Sequence, residues 1–402
     1  MNAAGIIVEY NPLHMGHVHL LHETRRILGE DAAIVCCMSG DFVQRGDFAL
    51  LRRQARAKAA VQSGADLVLE LPLPWAVSSA EGFARGAVET LLAANVCTHL
   101  AFGSECADAE AMMRVAAALE REDFSEVLRD ELKAGDSFAA ARERAVGKLL
   151  SPEDAALLQS PNNILGIEYC KALLCAKSTV RPFTISRLGA AHDAKEATGG
   201  TASASAIRAL LKEGKREMAL SLMAPAMQEA YLEEEAALRA PVFWEKSERA
   251  ILSQLRRMKR EDFAALDRGK EGLYNRLYEA SRTAATVEEL LSAAKTKRYA
   301  YALLRRMVLW AYLGLRPEEC PQHPAYLRPL AMNAKGRSLL AKMRKEATLP
   351  ILTKPADVRR LTPEAQRLFS LEAAAADLYS LGYPDLTAAR GDALWKEGPV
   401  LL

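Results

Sequence analysis

At 402 residues the chain exceeds what one hydrophobic core usually organises, so two domains are expected. With 50 % hydrophobic and 26 % charged residues it is no disordered chain, and no apolar run is long enough to span a membrane. Seven cysteines without a CxxC pair exclude a paired-cysteine zinc framework; with opening residues that lack a signal peptide's flanks, they fit a reduced, cytoplasmic protein.

A net charge of +2 hides a polarity between the halves. Residues 1–200 carry 20 Lys and Arg against 26 Asp and Glu, whereas residues 201–402 carry 33 against 25, and within 249–345 the counts are 21 and 9. Such asymmetry points to a polyanion held by the second half, although a solvated surface of basic helices gives the same counts.

In chain order, the first half alternates short apolar runs with helical spacing, which predicts strands over 4–8, 32–38, 66–71, 98–102 and 180–186 and helices over 17–28, 52–63 and 79–94. Continuous apolar runs such as 4–8 and 32–38 are what strands buried on both faces require. The pattern predicts the α/β class, a doubly wound, Rossmann-like parallel sheet over 1–200. Gly199 and Gly200 mark a turn. Beyond about residue 205 stretches rich in Ala, Leu, Arg and Glu, such as 218–239 and 246–258, predict a basic, mainly α-helical domain over 201–402, with one extended segment at 348–353.

The stretch that carries chemistry follows the first strand. Gly5-Ile-Ile-Val-Glu-Tyr-Asn-Pro-Leu-His14-Met-Gly16-His17 puts HxGH at the mouth of a helix, where the crevice of an open parallel sheet meets a helix N-terminus suited to phosphate. Gly16 lets backbone approach a phosphate, and His14 and His17 can donate hydrogen bonds to oxygens that gain charge as pyrophosphate leaves. Two histidines three apart also serve as capping or core groups. A zinc site is not expected, because HxxH supplies two ligands at most and no cluster completes the shell.

This strand with NPxHxGH resembles the HxGH nucleotidylyl transferase superfamily, whose members bring the α-phosphate of ATP to an acceptor. Thr201-Ala-Ser203-Ala-Ser205-Ala-Ile-Arg208 resembles that superfamily's SSTxIR motif, in which hydroxyls, amides at a helix start and an arginine hold the β and γ phosphates. The motif's threonine falls on Ser205 or Ala206, depending on register. Without HxGH, the same residues read as a serine N-cap and a solvated arginine.

Further blocks resemble a narrower family, the bacterial tRNA(Met) cytidine acetate ligases. They are Met38-Ser-Gly-Asp-Phe-Val-Gln44-Arg45-Gly46, Gly64-Ala-Asp-Leu-Val-Leu-Glu-Leu-Pro72, Phe102-Gly103-Ser-Glu105, Ser160-Pro-Asn162-Asn163-Ile-Leu-Gly-Ile-Glu168-Tyr169, Glu271-Gly-Leu-Tyr-Asn275-Arg276, Thr296-Lys297-Arg298-Tyr299 and Leu349-Pro-Ile-Leu-Thr-Lys354. Leu13 stands where the family commonly has Phe, and Met15 where a polar residue is usual; both changes spare the histidines and glycine.

The resemblance implies an enzyme that makes acetyl-adenylate from acetate and ATP and passes the acetyl group to N4 of the wobble cytidine of elongator tRNA(Met). It implies His14 and His17 as catalytic residues. It implies ATP contacts along Ile7, Val8, Glu9, Tyr10, Asn11, Pro12, Leu13, His14, Met15, Gly16, His17, Val18, His19 and Leu20, and at Gly103, Asn162 and Arg187, besides Ser203, Ser205 and Arg208 of the phosphate motif. Asn163 competes with Asn162 for its role. Gln44 and Arg45 are expected to meet the acceptor or a phosphate. Mg²⁺ is expected from triphosphate chemistry, not from a visible ligand motif. For tRNA, the basic clusters Arg256, Arg257, Lys259 and Arg260, and Lys297, Arg298, Tyr299, Arg305 and Arg306, the latter on one expected helix, supply charge and an aromatic, though each alone equally suits a solvated helix face. Trp244, Tyr299 and Trp310 equally suit the core. Two other functions compete: a small-molecule adenylyltransferase, which has no need of a long basic domain, and a nucleotide-regulated RNA-binding protein without catalysis.

Overall fold

Six consecutive buried residues, Ala3–Val8 (β1), form an interior strand of a seven-stranded sheet. The structure, a computed structural model, describes residues 2–133, 137–187, 202–266, 272–297 and 299–402. The other strands are Ala33–Ser39 (β2), Phe42–Val43 (β3), Asp47–Phe48 (β4), Leu67–Leu71 (β5), His99–Ser104 (β6), Arg181–Ser186 (β7), Pro329–Met332 (β8) and Val400–Leu401 (β9). The sheet runs β7-β6-β1-β2-β5-β8-β9, while β3 and β4 form a small antiparallel hairpin. β1 is parallel to β2 and β6, β2 to β5 and β6 to β7; β8 pairs antiparallel with β5. The chain builds outward from β1 through β2 and β5, then returns to the other side of β1 for β6. That reversal puts the switch point, where open α/β sheets bind ligands, at the carboxyl ends of β1 and β6.

All five expected strands and all three expected helices form. The helices are Met15–Leu28 (α1), Arg53–Gln62 (α2) and Ala80–Ala94. The second half is mainly helical, as its composition predicts. Residues 218–239 divide into Arg216–Ser221 and Pro225–Ala236, because Pro225 has no N–H to continue a helix and suits a first turn. Within 348–353, Ile351 makes a single parallel bridge with Leu327. The Gly199-Gly200 turn lies outside the described residues.

The division at residue 200 does not follow the packing. Tyr326, Leu327, Met332 and Phe369 share a core with Leu67, Leu69, Trp75 and Leu91, and Ile207, Met223 and Tyr231 share another with Ile6, Ile34 and Met38 on the opposite face of the sheet. Among the described residues, only the helical body around Trp244, Ile251, Leu277, Leu290 and Val308 has a core apart from the sheet, and Phe42, Phe48 and Val77 enter even that one. The cause is the outer edge of β5: a bare edge leaves N–H and C=O groups unpaired, and β8 covers it. Four-residue β8 and two-residue β9 are too short for periodicity to reveal.

Two arginines of α2 fix the carboxyl ends of the central strands. Arg56 is fully buried and donates to the carbonyls of Leu51 (3.0 Å), Glu9 (2.5 Å), Ser39 (3.1 Å) and Gly40. Arg53 pairs with Asp41 at 2.6 Å and Glu70 at 2.8 Å, and Glu70 also takes Arg328 at 3.0 Å. Burial, with a smaller push from Arg53, lowers the Arg56 pKa, and Asp41 is the largest of the charges that oppose this. Replacing Arg56 by Met keeps the stem but strands its carbonyl partners, and is expected to cost about 3 kcal/mol or more of stability, read from urea unfolding. Arg26→Met, which removes an exposed pair with Glu23, should leave the midpoint unchanged.

Candidate active site

The turn after β1 is almost wholly buried. Tyr10 takes a left-handed conformation (φ 49°), Asn11–Pro12 is cis, and Leu13 is 0 % exposed. α1 begins at His14, whose extended backbone (φ −130°, ψ 172°) makes it the N-cap. Its Nδ1 accepts the Gly16 N–H at 3.1 Å, and His17 Nδ1 accepts the His14 N–H at 3.3 Å. The histidines thus cap the helix reciprocally, as serine and glutamate do in a capping box. A Cβ on Gly16 would stand 3.0 Å from His14 Cε1, so the glycine of HxGH also gives the folded-back ring its space.

This arrangement fixes protonation. An Nδ1 that accepts leaves the proton of a neutral imidazole on Nε2, so each ring presents an Nε2–H donor. The rings stack with centroids 3.8 Å apart and planes 27° from parallel, and the Tyr10 ring meets His17 edge-on at 5.1 Å. Burial, reinforced by Arg187, lowers the His14 pKa to about 4. Burial, then His14 and Arg187, holds His17 well below the ordinary histidine value. Two neutral donors therefore stand at the switch point near neutral pH, with no base among them to take a proton.

Across the crevice, Gly103 on β6, Arg187 just after β7 and Asn162 in the first turn of the helix Pro161–Cys175 come together. Arg187 Nη1 donates to Asn162 Oδ1 at 3.3 Å, and its side chain runs past Gly103, where a Cβ would lie 3.3 Å from Arg187 Cγ. Asn162 and Asn163 separate by role. Asn163 is 3 % exposed and accepts the N–H groups of Glu105 and Cys106 at 3.0 and 3.2 Å, whereas Asn162 donates to Glu105 at 2.6 Å and keeps its oxygen toward Arg187. Glu105 also accepts the Asn163 N–H at 2.9 Å, so it orients this corner; it sits in a quoted block, two residues after Gly103.

The β3–β4 hairpin closes a third side. Gln44 donates its backbone N–H to Glu9 Oε1 at 2.7 Å and its amide to the Ser78 carbonyl at 3.3 Å, while Arg45 is exposed at the tip. Burial raises the Glu9 pKa against the opposing pull of the Gln44 N–H and of Arg45. Ser203 caps the helix Ala204–Lys212 by accepting the Ala206 N–H at 3.2 Å, and Ser205 is exposed on its first turn. Arg208 reaches back to Asn11 Oδ1 at 3.1 Å and to Asp47 at 3.0 Å, which sets the helix start beside the β1–α1 turn. Within that turn Ile7, Val8 and Val18 are buried, Glu9, His19 and Leu20 half-buried, and Met15 exposed. Asp47 and Arg56 were not among the expected site residues; the signals were an acid one place past Gly46 and two arginines three apart on an alanine-rich helix.

The expected RNA residues are scattered. Arg256, Arg257, Lys259, Arg260 and Lys297 are exposed, but Arg256 donates to the Ala284 carbonyl at 2.8 Å, and Arg260 is tied to Asn275 and Glu279 and lies 4.5 Å over the Tyr278 ring. The second cluster is not one helix: Tyr301–Leu313 begins after Lys297 and Tyr299, and Ala300 is its N-cap. Arg298 lies outside the described residues. Arg305 turns inward over Trp244 at 3.9 Å, and Arg306 donates to the Gln44 carbonyl at 3.3 Å. Trp244 is core, and Trp310 donates to the Val77 carbonyl at 2.7 Å.

A mostly parallel sheet with this histidine cap at its switch point defines a nucleotidyl transferase of the HxGH type, and the family model described as HIGH Nucleotidyl Transferase matches residues 1–393. Over 397 residues, 95 % of each chain, the sequence is 37 % identical to the tRNA(Met) cytidine acetate ligase of Acetivibrio thermocellus. It is also 37 % identical to the protein of that name in Caldanaerobacter subterraneus subsp. tengcongensis, over 98 % of each chain. The fold matches Thermotoga maritima TmcAL bound with alpha-thio ATP over 100 % of both chains, with a TM-score of 0.93 and 33 % identity. The chain therefore belongs to the tRNA(Met) cytidine acetate ligase family.

The His14 environment makes a pH prediction for the ATP-free protein. Its pKa falls from 6.5 to about 4 on folding, so between these values the unfolded chain binds the proton and the folded one does not. The stability contribution is therefore complete above pH 6.5 and is lost as the pH falls toward 4. Proton NMR of the imidazole Cε1–H groups should show no His14 or His17 titration between pH 5.5 and 8, and ¹⁵N shifts should place both protons on Nε2. A midpoint near 6.5 for either ring would refute the assignment.

Proposed function

We propose that this chain activates acetate with ATP and transfers the acetyl group to N4 of the wobble cytidine of elongator tRNA(Met). The observation that carries this reading is the His14–His17 pair, locked as two neutral donors in a chain that aligns almost end to end with ligases of that name. In the first step an acetate oxygen attacks the α-phosphorus of ATP, the bond to the β-phosphate oxygen breaks, and pyrophosphate leaves. In the second, the cytidine amine attacks the acetyl carbonyl carbon, the bond to AMP breaks, and the nitrogen gives up one proton. Acetate alone would have to expel oxide; adenylation replaces that leaving group with AMP.

The Nε2–H groups of His14 and His17 stabilise phosphate oxygens as charge builds on the leaving pyrophosphate, and neither ring changes protonation state. Gly103, Asn162 and Arg187 hold the adenosine side, while Ser203, Ser205 and Arg208 hold the β and γ phosphates at a helix start. Gln44 and Arg45, at the hairpin tip, meet the acceptor. Among the described residues no group of three or more His, Cys, Asp or Glu side chains could hold a metal ion. The described residues thus offer no cage for Mg²⁺, and no step here runs through it.

The helical body, with Arg256, Arg257, Lys259 and Lys297 exposed, serves as the RNA-binding surface, and its affinity should fall steeply with salt. Among the described residues no helix is long and apolar enough to cross a membrane, and we place the enzyme in the cytoplasm with its RNA. With ATP, Mg²⁺, labelled acetate and bulk tRNA, the protein should put label into a tRNA cytidine and release AMP, and His17→Ala should reduce both by about 100-fold or more. AMP release without RNA label would retain activation and reject the acceptor; ATP binding with neither product would reject the ligase.

A further inference from the structure

The carboxylate of Asp47 lies between two guanidinium groups from distant parts of the chain. Its Oδ2 is 3.0 Å from Arg208 Nη2 and 2.9 Å from Arg305 Nη2, and its Oδ1 accepts the Phe48 N–H at 2.8 Å. All three side chains are less than a fifth exposed, at 18 %, 11 % and 19 % for Asp47, Arg208 and Arg305. Consecutive aromatics back the arginines: Arg208 lies 5.2 Å from the Phe243 ring centre, and Arg305 lies 3.9 Å from that of Trp244. The hairpin carrying Asp47 is pressed onto the helix carrying Arg305. Gly46 has φ 74°, and a Cβ there would stand 2.5 Å from the Arg306 backbone nitrogen.

Two guanidinium groups share the Asp47 carboxylate beside the turn after β1, where Glu9 is a second carboxylate within electrostatic reach of Arg208. Arg208 has five N–H donors; Asn11 and Asp47 take one each, so Asp47 orients the group without exhausting it. We propose that Asp47 is a positioning residue for ATP, which sets Arg208 for the polyphosphate and, through Arg305, couples nucleotide occupancy to RNA binding by the helical body. This rests on the reading of Arg208 as a phosphate-binding arginine. Polyphosphate oxygens draw Arg208 toward themselves, and Asp47 then bears more fully on Arg305, whose helix supports both the hairpin and the wall of the RNA-binding body. By linkage, RNA bound to that body changes ATP affinity by the same factor.

Asp47→Asn tests the charge while keeping an oxygen for the Phe48 N–H, and Asp47→Glu restores the charge. In calorimetric titrations of the full chain with ATP alone, Asp47→Asn should weaken binding about tenfold and Asp47→Glu by about threefold or less. In acetate-dependent ATP–pyrophosphate exchange the loss should appear in the KM for ATP, with kcat lowered by about twofold or less. ATP should shift the tRNA affinity of the wild type but not that of Asp47→Asn. Equal ATP affinity with and without the carboxylate, in a variant of unchanged melting temperature, overturns the proposal while leaving the ligase reading intact.

A wild-type chain that binds ATP but neither exchanges pyrophosphate nor labels RNA overturns the ligase reading, and the ATP titration still decides on Asp47. Should Asp47→Asn fail to fold, Arg305→Met decides. It should abolish the effect of ATP on tRNA affinity while changing ATP affinity by about twofold or less, and persistence of that effect overturns the coupling.

Discussion

The Arg56 guanidinium is the group on which the nucleotide crevice rests. It converges the carbonyls of Glu9, Ser39, Gly40 and Leu51, which belong to the ends of β1 and β2 and to the segment following the hairpin. These carbonyls converge on a buried side chain, where each one left unpaired would cost about 1–3 kcal/mol. A buried cation is costly as well, and the two costs offset each other only at this geometry. The Glu9 backbone is thereby fixed, and with it the departure angle of the turn that delivers Tyr10, Asn11 and the two histidines. Arg53, one helical turn away, does the same for Asp41 and Glu70, so that α2 serves as a clamp rather than only a layer over the sheet.

The histidine pair shows how local and tertiary demands meet. Each ring spends Nδ1 on starting α1 and keeps Nε2 for a ligand. Structure and chemistry are therefore not separable at either position. Removing the His17 ring deletes a donor and also strips the His14 N–H of its acceptor. Loss of activity in such a variant measures both effects.

The parallel strands and HxGH were legible in the sequence for physical reasons. Strands buried on both faces read as continuous apolar runs, and β1 and β2 comply. HxGH followed such a run directly. What escaped was set by partners far along the chain. Asp47 and Glu105 are ordinary acids until the fold gives them Arg208 and Asn162. Arg305 looked like one more exposed charge in a basic run, yet it faces Trp244, because Gly46 allows the hairpin to lie against its helix. Counting charges marks out a basic region and cannot tell which of its arginines are already engaged. Asn162 and Asn163 were equivalent on paper and became distinct only when Glu105 took one amide and the Glu105–Cys106 backbone the other oxygen.

The pairing of β5 with β8 has a bearing on how the protein is made. Glu70 meets Arg328 across 258 positions, and the Leu73 N–H meets Glu372 across 299. During synthesis β5 must therefore wait, with a charged side chain inside it and one edge bare, for segments not yet translated. At roughly 5–20 residues per second that wait lasts some tens of seconds. Over this interval the nascent sheet offers an open edge to any other extended chain, and chaperone occupancy should concentrate there.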